Sequence, residues 1–517
     1  RSNYLCLRRL AEGIEQTLLK GPALRARLQA IRDWAASTPT GDVAELRDLD
    51  EANPLLRRLV SRPDACLGHR CPRADRCFVL AARARARAAD LIITNHHLFF
   101  VDLASAENGA AAILPRDAFV ILDEAHHVEN VATEFFGLTV RSGQLDDLCE
   151  DAAHLSEGCT GSQQRLLAGT LPGIREGFAA LLAGLRSGPG ASRFELEDLN
   201  SAAMRAWHGL DMDLEVLARE CASIAASRGF DSEIPVRVES VRYAIASILD
   251  HPDPTWIRLV TREGTTGSIQ SLPLDVSETL RERLFFSARP VILTSATLTV
   301  DASTTFLRER LGVPETSAEL VVDSPYDYAR QALLYLPDTV PDPNDPAHTA
   351  AFAEEALRIL ELTRGRAFLL FTSHAAMNRA FEIMRDRMQH PVLRQGDIPR
   401  EAMLGRFRST PGACLFGTST FWEGVDVMGE ALSAVIIDRL PFDPPDDPVV
   451  SGRADLLRSR GKDPFSAYQL PLAVIRLRQG FGRLIRRRSD RGVIAILDPR
   501  IRTRPYGAVF LRSLPPA

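Results

Sequence analysis

The chain has 517 residues, 45% of them hydrophobic, with 62 Lys and Arg against 67 Asp and Glu and a formal net charge of −5. That length predicts several domains with ample core, and the acidic balance excludes a generally sticky nucleic-acid binder while leaving room for a local basic groove. No apolar run reaches the roughly 18 residues of a membrane span, so no membrane partner is expected.

Residues 1–88 hold four of the eight cysteines, Cys6, Cys66, Cys71 and Cys77, together with Arg- and Ala-rich helical patterns such as 18–36. Arg83, Arg85 and Arg87 follow, alternating with alanines, a pattern that suits a phosphate-following surface or a solvated helix face equally. Residues 91–95 and 119–122 read as short apolar strands with polar ends, which predicts a parallel sheet. Residues 129–285 are rich in Ala, Leu, Glu and Arg at helical spacing, as at 162–185 and 199–226. The sheet pattern resumes at Val291, and Ser324-Pro325-Tyr326 reads as a linker. Beyond it, strands predicted at 332–335, 367–371, 413–417, 434–438 and 493–497 alternate with helices, and the Pro-rich 440–448 is a loop. The fold class is α/β.

Several strand ends carry chemistry. Val120-Ile121-Leu122-Asp123-Glu124-Ala125-His126 is an apolar strand closing on two acids, the arrangement in which one carboxylate takes Mg²⁺ and the next orients a water in nucleotide hydrolysis. Near the other end, Gln479-Gly480-Phe481-Gly482-Arg483-Leu484-Ile485-Arg486 places two arginines three apart, which predicts that they share one helix face. Such guanidiniums suit charge developing on a transferred phosphoryl group. Between them lie Thr294-Ser295-Ala296-Thr297 after an apolar strand, Phe371-Thr372-Ser373 after another, and Gly417-Thr418-Ser419-Thr420-Phe421-Trp422-Glu423-Gly424-Val425-Asp426 after a third. Ligands of parallel α/β sheets bind at such ends. Phe78, Phe421 and Trp422 are candidate base platforms by position, and the last two suit coupling better than stacking.

In this order, DEAH, SAT, FTS, GTSTFWEGVD and QGFGRLIR resemble motifs II to VI of superfamily 2 helicases, specifically the iron–sulfur DinG/XPD branch, over nearly the whole chain. The resemblance implies two RecA-like parallel-sheet motor lobes, an iron–sulfur cluster domain and a mostly helical arch insertion. The cluster domain would span 1–88, the first lobe 89–128 and 286–325, the arch 129–285 and the second lobe 326–517. It implies Asp123 for Mg²⁺, Glu124 for the water, His126 beside them, and Arg483 and Arg486 as fingers. Gln479, Gly482, Glu423, Gly424 and Asp426 would surround ATP, and Ser295, Ala296 and Thr297 would couple nucleotide to strand. Ser373, Thr418, Trp422, Arg83 and Arg85 would face nucleic acid. The implied protein is a cytoplasmic, monomeric 5′-to-3′ DNA helicase of repair or replication. Its partners would be single-stranded DNA, forked or displaced-strand DNA and replication or repair proteins.

The thiol spacing alone suits an iron–sulfur cluster or a structural zinc, and nothing reads as secreted, which disfavours disulfides. The resemblance implies a 4Fe–4S cluster on Cys6, Cys66, Cys71 and Cys77. Cys149, Cys159, Cys221 and Cys414 stand singly among apolar residues and are expected to be small buried side chains. A Walker A loop needs Lys followed by Ser or Thr, yet Lys20 precedes Gly21 and Lys462 precedes Asp463. With Arg1 leading directly into the cysteine region, the expectation is an N-terminally incomplete helicase that hydrolyses ATP poorly by itself. Two other readings stand beside it: a metal-bearing single-strand-binding repair subunit without ATPase activity, and a helicase linked to an upstream exonuclease domain.

Overall fold

Short runs of Val, Ile, Leu, Phe and Ala build the parallel sheets, as strands of a sheet with covered faces require, although Ile121 and Ile292 of the smaller sheet are exposed. The structure, a computed structural model, describes residues 3–11, 22–46, 54–62, 66–105, 113–157, 159, 161–185, 188, 190–228, 232–250, 253–287, 289–422 and 431–516. Numbered along the chain, the strands are β1 (Val120–Leu122), β2 (Leu138–Arg141), β3 (Ala191–Arg193), β4 (Trp256–Glu263), β5 (Thr266–Pro273), β6 (Val291–Leu293), β7 (Ala332–Tyr335), β8 (Ala367–Leu370), β9 (Val392–Arg394), β10 (Cys414–Gly417), β11 (Ala434–Ile437) and β12 (Gly492–Ile496). Two compact units result, Arg1–Ala118 with Val131–Pro273, and Phe119–Asn130 with Leu274–Ala517.

In the second of these units, β1 pairs in parallel with β6, Val120 opposite Val291 through Leu122 opposite Leu293. A six-stranded sheet follows, in the order β7-β12-β11-β8-β10-β9, with parallel pairing throughout. Alternation along the strands sorts side chains to two cores. Phe368, Leu370, Leu415, Val435 and Ile437 meet Leu477 and Phe481 on one face. Ala367, Leu369, Cys414, Phe416 and Ile436 meet Phe352, Met377 and Met384 on the other. The predicted strands of this sheet fall within a residue of the observed ones; β9, three residues at the sheet edge, was too short to signal itself.

The segment inserted into the unit of the parallel sheets runs from Val131 to Pro273 and groups with residues 1–118, while residues 274–285 fold with those sheets. Helices Ser142–Ser156, Gly161–Gly184, Ser201–Ser227 and Ile234–Asp250 do dominate it, but an antiparallel sheet, β2-β5-β4-β3, packs with them. Its centre is the β4–β5 hairpin, which turns at Gly264 with φ +64°. Gly161–Gly184 is long and apolar enough to cross a membrane by length and composition; its Leu167, Leu171, Ile174, Phe178, Leu181 and Leu182 are buried in the helical core. Residues 91–95 form no strand: Leu91 is 77% and Ile93 90% exposed, and an apolar run becomes a strand only where a neighbour takes its backbone hydrogen bonds. The helix expected at 18–36 is seen as Pro22–Ser37, and residues 18–21 lie outside the described residues.

The cysteine-bearing segment has a small core of Leu5, Leu10, Leu28, Ile31, Leu56 and Leu59. Phe78, partly buried, packs against it, its ring so close to Gly41 that a Cβ there would lie 2.2 Å away. Asp151, on helix Ser142–Ser156, ties this segment to the insertion, accepting from Arg9 at 3.1 Å and Arg237 at 2.6 Å. Burial pushes its carboxyl up, but the Arg9 and Arg237 guanidiniums outweigh it and hold the group below the usual range.

At the C-terminal edge of the six-stranded sheet, buried His348 meets an acceptor at each ring nitrogen, the Pro341 carbonyl at 2.9 Å and the Asp438 carboxylate at 3.0 Å. Only the imidazolium donates at both. Burial lowers its pKa, yet the bonds to Asp438 and Pro341 raise it overall. A raised folded-state pKa gives stability that is complete below the ordinary histidine value of about 6.5 and is lost as pH climbs through the folded value. His348→Gln is therefore expected to flatten the fall of unfolding free energy with pH across that window in urea titrations. An unchanged slope would show that His348 does not titrate there.

Candidate nucleotide site and cysteine cavity

The chain leaves β1 at Leu122 and exposes Asp123 and Glu124 at the sheet's C-terminal end. Glu124 has φ 48° and ψ 48°, a left-handed conformation that non-glycine residues adopt rarely and that concentrates at functional sites. The turn is held because the ladder to β6 continues past both strands. The Thr294 N–H donates to Leu122 O at 2.9 Å, and the Ala125 N–H donates to Thr294 O at 3.0 Å.

A directed hydrogen-bond chain leads from this turn to the far motif. The Ser295 hydroxyl donates to Glu124 Oε2 at 2.9 Å and accepts the Thr297 N–H at 3.1 Å, leaving a lone pair facing His126 Nδ1 at 3.0 Å. His126 Nδ1 must then carry the proton, and its Nε2 accepts from the Gln479 amide. Thr297 Oγ1 lies 3.3 Å from Ser295 Oγ, and Thr297 is buried while Ala296 is exposed. Arg478 reinforces the link by donating to Thr299 O and Oγ1 at 2.6 and 2.7 Å and to Ala296 O at 3.4 Å. Its signal was its place beside Gln479.

The expectation that Arg483 and Arg486 share a helix face is overturned. The helix Leu470–Phe481 stops with Gly482 as its C-cap, and both arginines lie in the turns beyond. Those turns have their own supports: Arg483 Nε donates to Trp422 O at 2.9 Å, while Asp490 accepts the backbone N–H groups of Arg486 and Arg487 at 2.9 and 2.7 Å. A run of Gly, Arg and Arg beside a good acceptor is satisfied better by capping than by further helix. Glu423, Gly424 and Asp426 lie outside the described residues.

Of the residues expected to face nucleic acid, Ser373 is exposed and caps helix His374–Met384 by accepting the Ala376 N–H. Arg85 is exposed and Arg83 half-buried on helix Phe78–Arg87. Thr418 and Trp422 are placed otherwise. Thr418 is buried, donating to Gln395 Oε1 at 3.0 Å, and Trp422 is buried with its indole N–H on Phe371 O at 3.2 Å. Neither presents a face to a base.

Cys6, Cys66, Cys71 and Cys77 all line one cavity, together with Arg8, Arg9, Arg62 and Arg73. Cys6 arrives beside Leu59, its N–H donating to Leu59 O, and 3₁₀ turns Gly68–Arg70 and Ala74–Arg76 set the other three apart. The four thiols are free. No group of three His, Cys, Asp or Glu suited to a metal ion occurs among the described residues. Cys149, Cys221 and Cys414 are buried, as expected, and burial pushes the Cys149 thiol up to about 11. Cys159 is only half-buried and accepts from Arg228 at 3.2 Å.

Trp422 occupies the space that Gly480 leaves, since a Cβ at Gly480 would lie 2.8 Å from its Cε3. Gly480→Ala gains at most about 1 kcal/mol of helix propensity and is expected to lose more by overpacking, with a net destabilisation of about 1–2 kcal/mol in urea unfolding. A stability unchanged or raised would mean that the indole is not locked in place.

Comparison with known proteins matches two families, DEAD_2 over residues 59–145 and Helicase C-terminal domain over 356–517. The ATP-dependent DNA helicase YoaA of Escherichia coli is 38% identical over 530 residues, covering 100% of this chain and 81% of that protein. YoaA of Haemophilus influenzae is 36% identical, covering 100% and 80%, and the ATP-dependent helicase DinG of Mycobacterium tuberculosis 32%, covering 100% and 79%. A solved XPD helicase structure superposes with a TM-score of 0.54 at 17% identity, over 84% of this chain and 74% of that one, which shows the fold. With the acid pair, its relay to Gln479 and these relatives together, the chain belongs to the YoaA/DinG family of ATP-dependent DNA helicases.

Proposed function

We propose that the protein carrying this chain is a cytoplasmic, monomeric 5′-to-3′ helicase that opens single-strand/duplex junctions, forked or displaced-strand, during DNA repair or replication, alongside other repair or replication proteins. In this reading ATP closes the motor on DNA and hydrolysis reopens it. Asp123 would hold Mg²⁺, which would supply positive charge to the phosphates of ATP, and its exposed position at the end of β1 suits that task. Glu124 orients the attacking water. His126 and Ser295 fix that carboxylate and report its state to Gln479. Arg483 and Arg486 serve as fingers, Gly482 frees the turn that carries them, and Glu423, Gly424 and Asp426 complete the nucleotide surroundings. Ser373 and the arginines Arg83 and Arg85 follow the phosphate backbone, the first through a helix N-terminus and the others through charge.

The observation that carries the iron–sulfur reading is the convergence of Cys6, far upstream, with Cys66, Cys71 and Cys77 on one cavity. These residues would hold a 4Fe–4S cluster, which supplies a rigid covalent anchor and a one-electron centre when bound. Arg8, Arg9, Arg62 and Arg73 line the same cavity and offset thiolate charge. A reducing compartment, in which the thiols stay free, fits this use.

A second reading, a helicase joined to a nuclease, is favoured by one relative. The Bacillus subtilis protein named 3′-5′ exonuclease DinG is 28% identical, and this chain covers 61% of its length.

The decisive test is anaerobic purification of the protein and of its Cys71→Ser variant, with iron, sulfide and zinc assays and unwinding of duplexes tailed at the 5′ or the 3′ end. The proposal expects iron and sulfide with absorption near about 400 nm, unwinding from a 5′ tail, and loss of both in the variant. Zinc without iron, or unwinding from a 3′ tail alone, would refute it; degradation of single strands without ATP would favour the nuclease-linked reading.

A further inference from the structure

Away from the acid pair, a heavily buried charged cluster of the same unit surrounds Glu129. Its carboxylate accepts from Arg310 Nε at 3.1 Å and pairs with Arg453 Nη2 at 3.2 Å, and all three side chains are buried almost completely. Tyr468, also buried, lies beneath both guanidiniums, 5.0 Å from Arg310 and 5.5 Å from Arg453 to the ring centre, and its hydroxyl accepts from Arg453. Charges taken this far from water are retained at a desolvation cost and are weak evidence of stability for its own sake, so their placement calls for a reason.

Placement supplies one. The chain leaves this unit after Asn130 and returns at Leu274. Arg453 Nη1 donates to Asn130 Oδ1 at 3.2 Å, and the Leu274 carbonyl accepts from both Arg453 Nε and Arg310 Nη2 at 3.3 Å. One residue later, Asp275 accepts from Arg460 at 2.5 Å. Both covalent crossings are thus pinned by the same few side chains. Arg453 sits on helix Pro448–Ser459, and Tyr468 lies in the π-helical turn Phe465–Gln469 that runs directly into helix Leu470–Phe481, the carrier of Gln479. Such π turns recur where a helix must serve a function. At the other end, Glu129 stands in the first turn of helix Val128–Phe136, just after the acid pair and its 3₁₀ turn.

We infer that Glu129, Arg310, Arg453 and Tyr468 are positioning residues that lock both chain crossings into residues 131–273 to the helix bearing Gln479, so that nucleotide-driven movement of that helix is delivered to the insertion. The inference rests on the helicase reading for its purpose but on its own geometry for its test. Packed interfaces of this kind switch between discrete arrangements rather than deform smoothly, so a rigid, dry ion-pair cluster transmits displacement where a solvated one would absorb it.

The test is hydrogen exchange at residues 128–131 and 273–276, with and without a non-hydrolysable ATP analogue, in the unmodified protein and in Arg453→Met. The analogue is expected to slow exchange there by about tenfold or more in the unmodified protein. In the variant this response should vanish while kcat for DNA-stimulated hydrolysis stays within about threefold. A response that persists in Arg453→Met, or is absent from the unmodified protein, overturns the inference, as does a fall of hydrolysis in step with the lost response. Should Arg453→Met fail to fold, Tyr468→Phe decides the matter, because it keeps the ring under both arginines and removes only the hydroxyl acceptor. Unwinding of a forked duplex by the unmodified protein tests the underlying reading separately.

Discussion

The hydrogen-bond chain from Gln479 through His126 and Ser295 to Glu124 is the constraint on which the motor unit depends. It joins two segments more than 350 positions apart, and every donor in it has an acceptor in a consistent direction. Its geometry rests on backbone features that the sequence pattern enforces. β1 and β6 pair in register, their ladder continues into Thr294 and Ala125, and the left-handed turn at Glu124 directs the carboxylate back to Ser295. A helix ending in glycine presents Gln479 from the other side while Trp422 fills the gap at Gly480. Remove any one of these and the acid pair loses its link to the distant motif.

Electrostatics divides the labour between two kinds of charge. At the end of β1 the acids Asp123 and Glu124 are exposed. Structural pairs such as Glu129 with Arg310 and Arg453 are buried and multiply bonded. Asp275 belongs to the second kind: burial raises its pKa, but the hydrogen bond from Arg460 and those of Ser277 bring it down to about 2. Such groups keep their charge over the whole physiological range, so their contacts persist.

Much of the parallel architecture was legible because strands buried on both faces are short, continuous apolar runs, and the runs before Ser295, Ser373 and Thr418 end at the sheet edges where they were expected. What escaped reading was decided by tertiary context. Residues 91–95 have strand composition but no ladder partner among the described residues, and Arg483 and Arg486 continue a helical pattern that Gly482 and Asp490 interrupt. Thr418 and Trp422 belong to a segment that looks ligand-facing in sequence, yet Gln395 and the Phe371 carbonyl draw them inward. The Glu129 cluster had no signature, since its members come from four separated segments and periodicity carries no information about such pairs. The cysteines were the opposite case: their spacing marked them, and the fold supplied the common cavity that spacing cannot.

The account's central claim is that His126 and Gln479 act as one unit. A double-mutant cycle with His126→Ala and Gln479→Ala, read as kcat for hydrolysis of ATP stimulated by single-stranded DNA, tests it most directly. If the relay carries the coupling, the double variant should lose little more than either single one, with an interaction energy of about 1–3 kcal/mol. Losses that simply add would show that the two residues serve hydrolysis independently and would contradict the account.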